Sequence, residues 1–186
     1  MEKLLDRYCF NITMQGDIMG EIIIKEALVE DAEELIAYIK QIGKETDNLT
    51  FGAEGLPITV EQEKIFLKNI KNDPKSVHLL AWQDGKIVGD GSLGSLPRRM
   101  SHRADMGLAV LKEAWGQGIG AKLLESLIAY AKEHGIEILN LEVRADNDRA
   151  IRLYRRYGFQ SIGISPAYFK IGEEYFDFEI MVLDLR

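Results

Sequence analysis

Glycine stands at every second position across Gly116, Gly118 and Gly120, and this loop joins an apolar strand to a long amphipathic helix. The junction limits what the chain can fold into. It demands a strand that ends where a helix begins, with loop N–H groups left open at the positive end of that helix. Such an arrangement holds phosphate. A Cβ at these positions would block both the unusual dihedrals and the close approach of a diphosphate to the main chain. A phosphate-bearing ligand is the first expectation.

A bare turn is the plainest rival, but a turn between a strand and a helix does not need three glycines. A dinucleotide-binding fingerprint is the next, since Glu142 follows about 20 residues on, where a ribose-binding acid belongs. Against it, the spacing is GxGxGA rather than GxGxxG, and four expected strands precede the loop. Only about 40 residues follow Val143, too few to finish a doubly wound sheet. A P-loop fails because no Gly-Lys-Ser/Thr follows.

Periodicity places the remaining elements. Residues 21–26 (EIIIKE) read as a strand, and 30–42 as a helix with Leu35, Ile36, Ile39 and Ile42 inward, ended by Gly43. Thr59 and Gln62 form a capping box that opens a second helix to about Asn72. A hairpin follows over 77–82 and 86–93, turning at Asp84-Gly85. The remaining segments are a strand at 105–111, a helix from about 117 to 134, a strand at 138–143 and a short helix at 146–157. The last two strands are expected at 159–164 and 175–185. The final one alternates strictly through Phe176, Phe178, Ile180 and Val182. The order β-α-α-β-β-β-α-β-α-β-β implies an α/β (α+β) fold. Its mixed, largely antiparallel sheet of six to seven strands is flanked by about four helices.

Residues 21–186 read as a single domain, and 1–20 as an N-terminal extension that is flexible or precedes the true start. The N-terminus carries Glu2 and Asp6 and has no apolar core with a small-residue cleavage site, so a signal peptide is not expected. No apolar run is long enough to span a membrane. Cys9 is the single cysteine, and no Cys/His cluster has metal-ligand spacing, so no metal is expected. These features point to the cytoplasm. A net charge of −7 argues against nucleic acid and suits a cationic substrate better.

The loop and the segment Asn147 to Phe159 together resemble the GCN5-related N-acetyltransferase (GNAT) superfamily. In that family a strand like LAVLKEAW runs into R/Q-x-x-G-x-G/A, the pyrophosphate loop of acetyl-coenzyme A. Here the register is Trp115-Gly116-Gln117-Gly118-Ile119-Gly120, with Trp115 in place of Arg or Gln. Asn147 and LYRRYGF resemble the family's second signature. The resemblance covers residues 21–185 in element order. It implies an acetyl-CoA-dependent N-acetyltransferase acting on an amine acceptor.

What the resemblance implies for the site follows. Amides from Trp115 to Ala121, including Gly116, Gln117, Gly118, Ile119 and Gly120, would hold the diphosphate. The strand Leu108, Ala109, Val110 would pair with the pantetheine arm, bulged so that it splays from 138–143, and would point an N–H at the thioester oxygen. Tyr154 is the candidate acid for the departing thiolate, against an ordinary core aromatic. Asn147 contacts pantetheine or caps its helix. Arg149, Arg155 and Arg156 reach coenzyme A phosphates or form a solvated face. Asp105, Glu142 and His102 are candidate bases; His78 and His134 read as structural or surface. The acceptor site would come from 43–57, the second helix and 165–172. Whether the last strand pairs with a second copy in a homodimer or packs internally stays open. A non-catalytic coenzyme A sensor and a nicotinamide-dependent oxidoreductase using Glu142 are the alternative functions.

Overall fold

A computed structural model describes residues 21–186; the expected N-terminal extension lies outside them. Seven strands form one sheet in the order β1-β2-β3-β4-β5-β7-β6. In chain order the elements are β1 (Ile22–Glu26), α1 (Ala32–Glu45), α2 (Val60–Asn72), β2 (Val77–Gln83) and β3 (Lys86–Ser95). These are followed by β4 (Arg103–Val110), α3 (Ile119–Glu133), β5 (Ile138–Arg144), α4 (Asp148–Arg156), β6 (Gln160–Ile171) and β7 (Glu174–Asp184). Every neighbouring pair of strands is antiparallel except β4–β5. The mixed α+β architecture and its element order match the pattern of hydrophobic periods. No described helix is long and apolar enough to cross a membrane.

Alternating side chains give the sheet two apolar faces, and each is covered by helices. Leu79, Met106, Leu139, Leu141 and Met181 pack under Leu123, Leu124 and Leu127 of α3 and Ile151 of α4. On the opposite face Leu80, Ile87 and Leu111 meet Leu35, Tyr38 and Ile42 of α1 and Leu67 of α2. Tyr38 rather than Ile36 or Ile39 takes the centre of the α1 stripe; the two isoleucines sit half-buried beside it.

The capping box at Thr59 forms as its spacing predicts. The Thr59 hydroxyl accepts from Gln62 N–H (3.2 Å), and Gln62 Oε1 accepts from Thr59 N–H (2.8 Å). Gly43 does not end α1, which continues to Glu45. Its role is close approach: a Cβ there would stand 2.1 Å from the Gly52 carbonyl oxygen. The loop after α1 therefore lies directly on the helix.

Three departures concern the C-terminal strands and β4. β6 extends past Ser165 to Ile171, because a register shift between Ser165 and Phe169 absorbs Pro166 and Ala167. Ala167 holds a φ of 51°, and its N–H donates to Asp177 Oδ1 at 2.8 Å. The alternation in β7 gives two apolar faces, and Phe178 is buried on one of them. Met181 and Leu183 enter the main core, while Ile180 and Val182 are half-buried on the other side. β7 lies inside the sheet between β5 and β6, so β6 forms the edge. Finally, β3 and β4 stay in continuous register from Gly89–Val110 to Ser95–Ala104, so no bulge interrupts β4 against β3. The parting of β4 from β5 has a simpler origin: their parallel pairing covers only Arg103–Asp105 against Ile138–Asn140.

Candidate active site

Past Asp105 the two central strands diverge, and one edge of β4 is left open. Backbone groups alternate sides along a strand. Leu111 N–H donates to Val88 O at 2.9 Å on the β3 side. Leu108 and Val110 therefore present their backbone groups to the other edge, where β5 has departed. The Val110 carbonyl is taken by the Trp115 indole N–H at 2.7 Å. The Leu108 N–H and carbonyl and the Val110 N–H face the gap.

A cavity of about 620 Å³ runs along this edge to the start of α3. Gly116 and Gly118 hold φ of 83° and 79°, and a Cβ on either would meet no atom within 4 Å, because it would project into open space. α3 begins at Gly118 without a side-chain cap. The first backward bond is Lys122 N–H to Gly118 O at 3.1 Å, so the N–H groups of Ile119, Gly120 and Ala121 have no carbonyl within the helix. These residues, with Trp115, Gly116 and Gly118, line the cavity. Open donors at a positive helix end fit a diphosphate.

The structure sorts the remaining candidates. Leu108, Ala109, Val110, Asn147 and Tyr154 line the same cavity. Gln117 does not; its side-chain oxygen accepts from Gln83 Nε2 at 3.0 Å. Asn147 caps α4, accepting from Ala150 N–H at 3.2 Å, so the capping alternative holds while the residue still borders the cavity. Arg149 and Arg156 line it, with Arg149 stacked 4.3 Å from the Trp115 ring. Arg155 instead pairs with the buried Glu179 at 2.9 Å. Arg152 and Lys112 also line the cavity. Periodicity did not single them out because each sits on a face that otherwise reads as solvated.

Tyr154 is buried at the inner end of the cavity, and burial pushes its hydroxyl up to about 12. On the opposite sheet face Glu142 and Asp105 stand together. Burial raises the Glu142 pKa, and the Asp105 charge raises it further. Asn140 holds Asp105 with a 3.0 Å bond from Nδ2 to Oδ1 and receives the Arg103 guanidinium on its own oxygen. From the β6–β7 hairpin, Tyr168 has its pKa raised by burial, Glu142 and Asp105 in that order. Leu139, Leu141 and Val143 belong to the core under α3, so Glu142 points away from the glycine loop. A ribose-binding role for Glu142 therefore fails, and with it the nicotinamide alternative. His102 lies in the turn ahead of β4 and lines neither cavity. His134 is structural, stacked 3.8 Å from Tyr130.

A second cavity, of about 240 Å³, adjoins the first at Ile42, Leu49, Leu108 and Ala109. Its walls include α1, α2 and the loop between them, whereas the segment 165–172 lines neither cavity. His78, read from the sequence as structural or surface, faces this second space. Its Nε2 meets Asp90 Oδ2 at 3.1 Å, and Asp90 Oδ1 accepts from the Tyr38 hydroxyl at 2.8 Å. Burial and the Asp90 charge hold the Tyr38 pKa well above the usual tyrosine value.

Comparison with known proteins gives a consistent result. The sequence profile of the acetyltransferase (GNAT) family matches residues 45–159. The crystal structure of an acetyltransferase of the GNAT family from Streptococcus pneumoniae is similar, with a TM-score of 0.86 and 32% identity. That likeness covers 89% of this chain and 100% of that one. The L-amino acid N-acetyltransferase AaaT of Escherichia coli (strain K12) is 27% identical over 161 residues, covering 86% of this chain and 95% of its own. The N-alpha-acetyltransferase RimI of Mycobacterium tuberculosis is 32% identical over 99 residues. Those residues are 53% of this chain and 61% of that protein, less than two thirds of its length. The chain is an acyltransferase and belongs to the GNAT family of acetyltransferases.

Proposed function

We propose that this protein moves an acetyl group from acetyl-CoA to a primary amine by direct transfer in a ternary complex. The acceptor is a small amine or the N-terminus of a peptide or protein, the two classes acted on by the similar AaaT and RimI proteins. The cytoplasm is the proposed setting. One observation carries the reading: the free edge of β4 at Leu108 and Val110 lines one cavity with the open anion cradle and the buried Tyr154 hydroxyl.

When bound, acetyl-CoA supplies the acetyl group as an activated thioester. The amides of Gly118 to Ala121 and the cations Arg149, Arg152 and Arg156 hold its phosphates. The open backbone of Leu108 and Val110 pairs with the amide-bearing arm as an added strand would. A Leu108 or Val110 N–H toward the thioester oxygen is worth roughly 3 kcal/mol as charge develops there.

The acceptor ammonium must lose a proton before it can attack. Glu142, its pKa raised by burial and by Asp105, is the assigned proton acceptor, directly or through water. As the new C–N bond forms and the C–S bond breaks, the electron pair goes to sulfur. Tyr154 donates a hydrogen bond to it. With Tyr154 near 12 and a free thiol near 8.5, complete proton transfer is uphill by about 5 kcal/mol. Tyr154 therefore stabilises the departing sulfur by a strengthening hydrogen bond rather than by early protonation. The chain's one cysteine, Cys9, lies outside the described residues, and no described residue is suited to carry the acetyl group as a thioester.

Thiol release from acetyl-CoA, followed across a panel of amines and short peptides, tests the reading. Tyr154→Phe should lower kcat by about 10²-fold while the calorimetric Kd for acetyl-CoA stays put. A non-catalytic sensor would bind coenzyme A with no turnover to lose, and that result would overturn the assignment.

A further inference from the structure

The transfer chemistry leaves one buried acid unused. Glu63 on α2 is only 4% exposed, lines the second cavity, and makes no hydrogen bond or ion pair through its carboxyl group among the described residues. Asp90, by contrast, is occupied by both Tyr38 and His78. His78 is engaged through its Nε2 with Asp90 at 3.1 Å, and its Nδ1 is buried without a partner. Burial raises the Glu63 pKa, and His78 opposes that rise without cancelling it. Isolated carboxylates are costly in apolar surroundings, so a donor brought by a ligand is the natural completion.

Sheet register fixes where this acid stands relative to the reacting groups. His78, Ser92 and Gly107 form one row across β2, β3 and β4. At the usual strand spacing, His78 and Gly107 are about 10 Å apart at their Cα atoms. Asp105, Gly107 and Ala109 share one face of β4, the face that also carries Asp90 on β3 and Glu142 on β5. Acidic groups therefore occupy both ends of one sheet face. Asp105 and Glu142 lie on the β5 side of β4, and Asp90 lies on its β3 side, with Glu63 of α2 lining the same cavity as Asp90. Between them the floor is Gly107 and Ala109, and the walls are Leu35, Ile39, Phe51 and Phe66. Among the described residues no lysine or arginine lines this cavity.

Resting on the acetyl-transfer reading above, we propose that the second cavity is the acceptor's specificity pocket. It takes an apolar arm ending in a second cationic group, which the Glu63 carboxylate binds. The acceptor class is then a diamine or a compound with a basic side chain. One amine meets the acetyl group near Glu142, and the other cation sits on Glu63. An ammonium or guanidinium satisfies a buried carboxylate better than a neutral donor does, and an anionic tail would meet only acids and the paired His78.

Two amines of equal heavy-atom count decide the matter: 1,5-diaminopentane, and n-hexylamine, which has a methyl where the diamine has its second ammonium. Both are measured in acetyl-CoA thiol release and in calorimetric binding to coenzyme A-loaded protein. The diamine is expected to bind and react about tenfold better or more with the wild-type chain. Glu63→Gln should remove that preference and leave coenzyme A binding unchanged. Equal or better use of n-hexylamine by the wild type overturns the proposal. So does a Glu63→Gln variant that keeps the diamine preference, since glutamine mimics a neutral Glu63. Glu63-dependent diamine binding without thiol release upholds the pocket and overturns the transfer reading instead. If Glu63→Gln fails to fold, the wild-type comparison still decides.

Discussion

Tyr154 and Glu142 sit on opposite faces of one sheet, and burial moves both of their pKa values upward with opposite chemical results. Tyr154 keeps its proton more firmly, whereas Glu142 becomes a stronger base. Glu142 must be ionised to accept a proton, so kcat/KM should fall on the acid side at a higher pH than an ordinary carboxylate near 4.5 would give. Glu142→Gln should lower kcat by about 10²-fold and abolish that acid limb in a pH–rate profile. The same shift carries a stability sign. A carboxyl whose folded pKa is raised contributes stability below its unfolded pKa and loses it as pH rises through the folded value. Thermal melts should therefore show Glu142→Gln more stable than wild type at pH 8 and no more stable near pH 4. Glu142 was legible because an acid interrupts an apolar strand. Glu63 and His78 were not, since a glutamate in a helix beside a capping box, or a lone histidine on a strand, looks the same whether its side chain meets solvent or a cavity.

At the scale of elements, local rules carried most of the fold. The capping box at Thr59 depends on two residues three apart, so it shows in the sequence and appears in the structure. Thr59→Ala should remove about 1 kcal/mol and lower Tm by about 2–4 °C, read by calorimetry, without altering the Kd for acetyl-CoA. The Asp84-Gly85 hairpin is legible for the same reason, and both residues hold positive φ. Misreadings arise where distant partners decide. Pro166 and Ala167 look like the end of a strand, but Asp177 on β7 ties the Ala167 N–H and lets β6 resume. Gly43 looks like a helix stop, yet its missing Cβ serves the loop that folds back upon it. Alternation in β7 names two faces without naming which is deeper; that depends on α3 and α4 covering one of them.

The whole molecule carries a net charge of −7, yet its larger cavity is rimmed by Lys112, Arg149, Arg152 and Arg156. Binding of a polyphosphate ligand thus works against the overall field and through a local one, which salt screens. The Arg152 and Asp148 pair is exposed and 3.8 Å long, so it contributes little to stability. Arg152→Glu should leave Tm nearly unchanged and weaken acetyl-CoA about tenfold in dilute buffer. Titrations in rising salt should bring the two proteins together. Equal affinity at low ionic strength would remove Arg152 from the phosphate rim.

The short contact between β4 and β5 also divides labour along the chain. The walls of the smaller cavity all precede residue 110, and the glycine cradle with its arginine rim all follows it, with β4, Ile42 and Leu49 bordering both cavities. Changes of residue in the first half can retailor which guest is chosen while the handle on the donor stays as it was. Descendants of such a protein are free to diversify their tastes one half at a time.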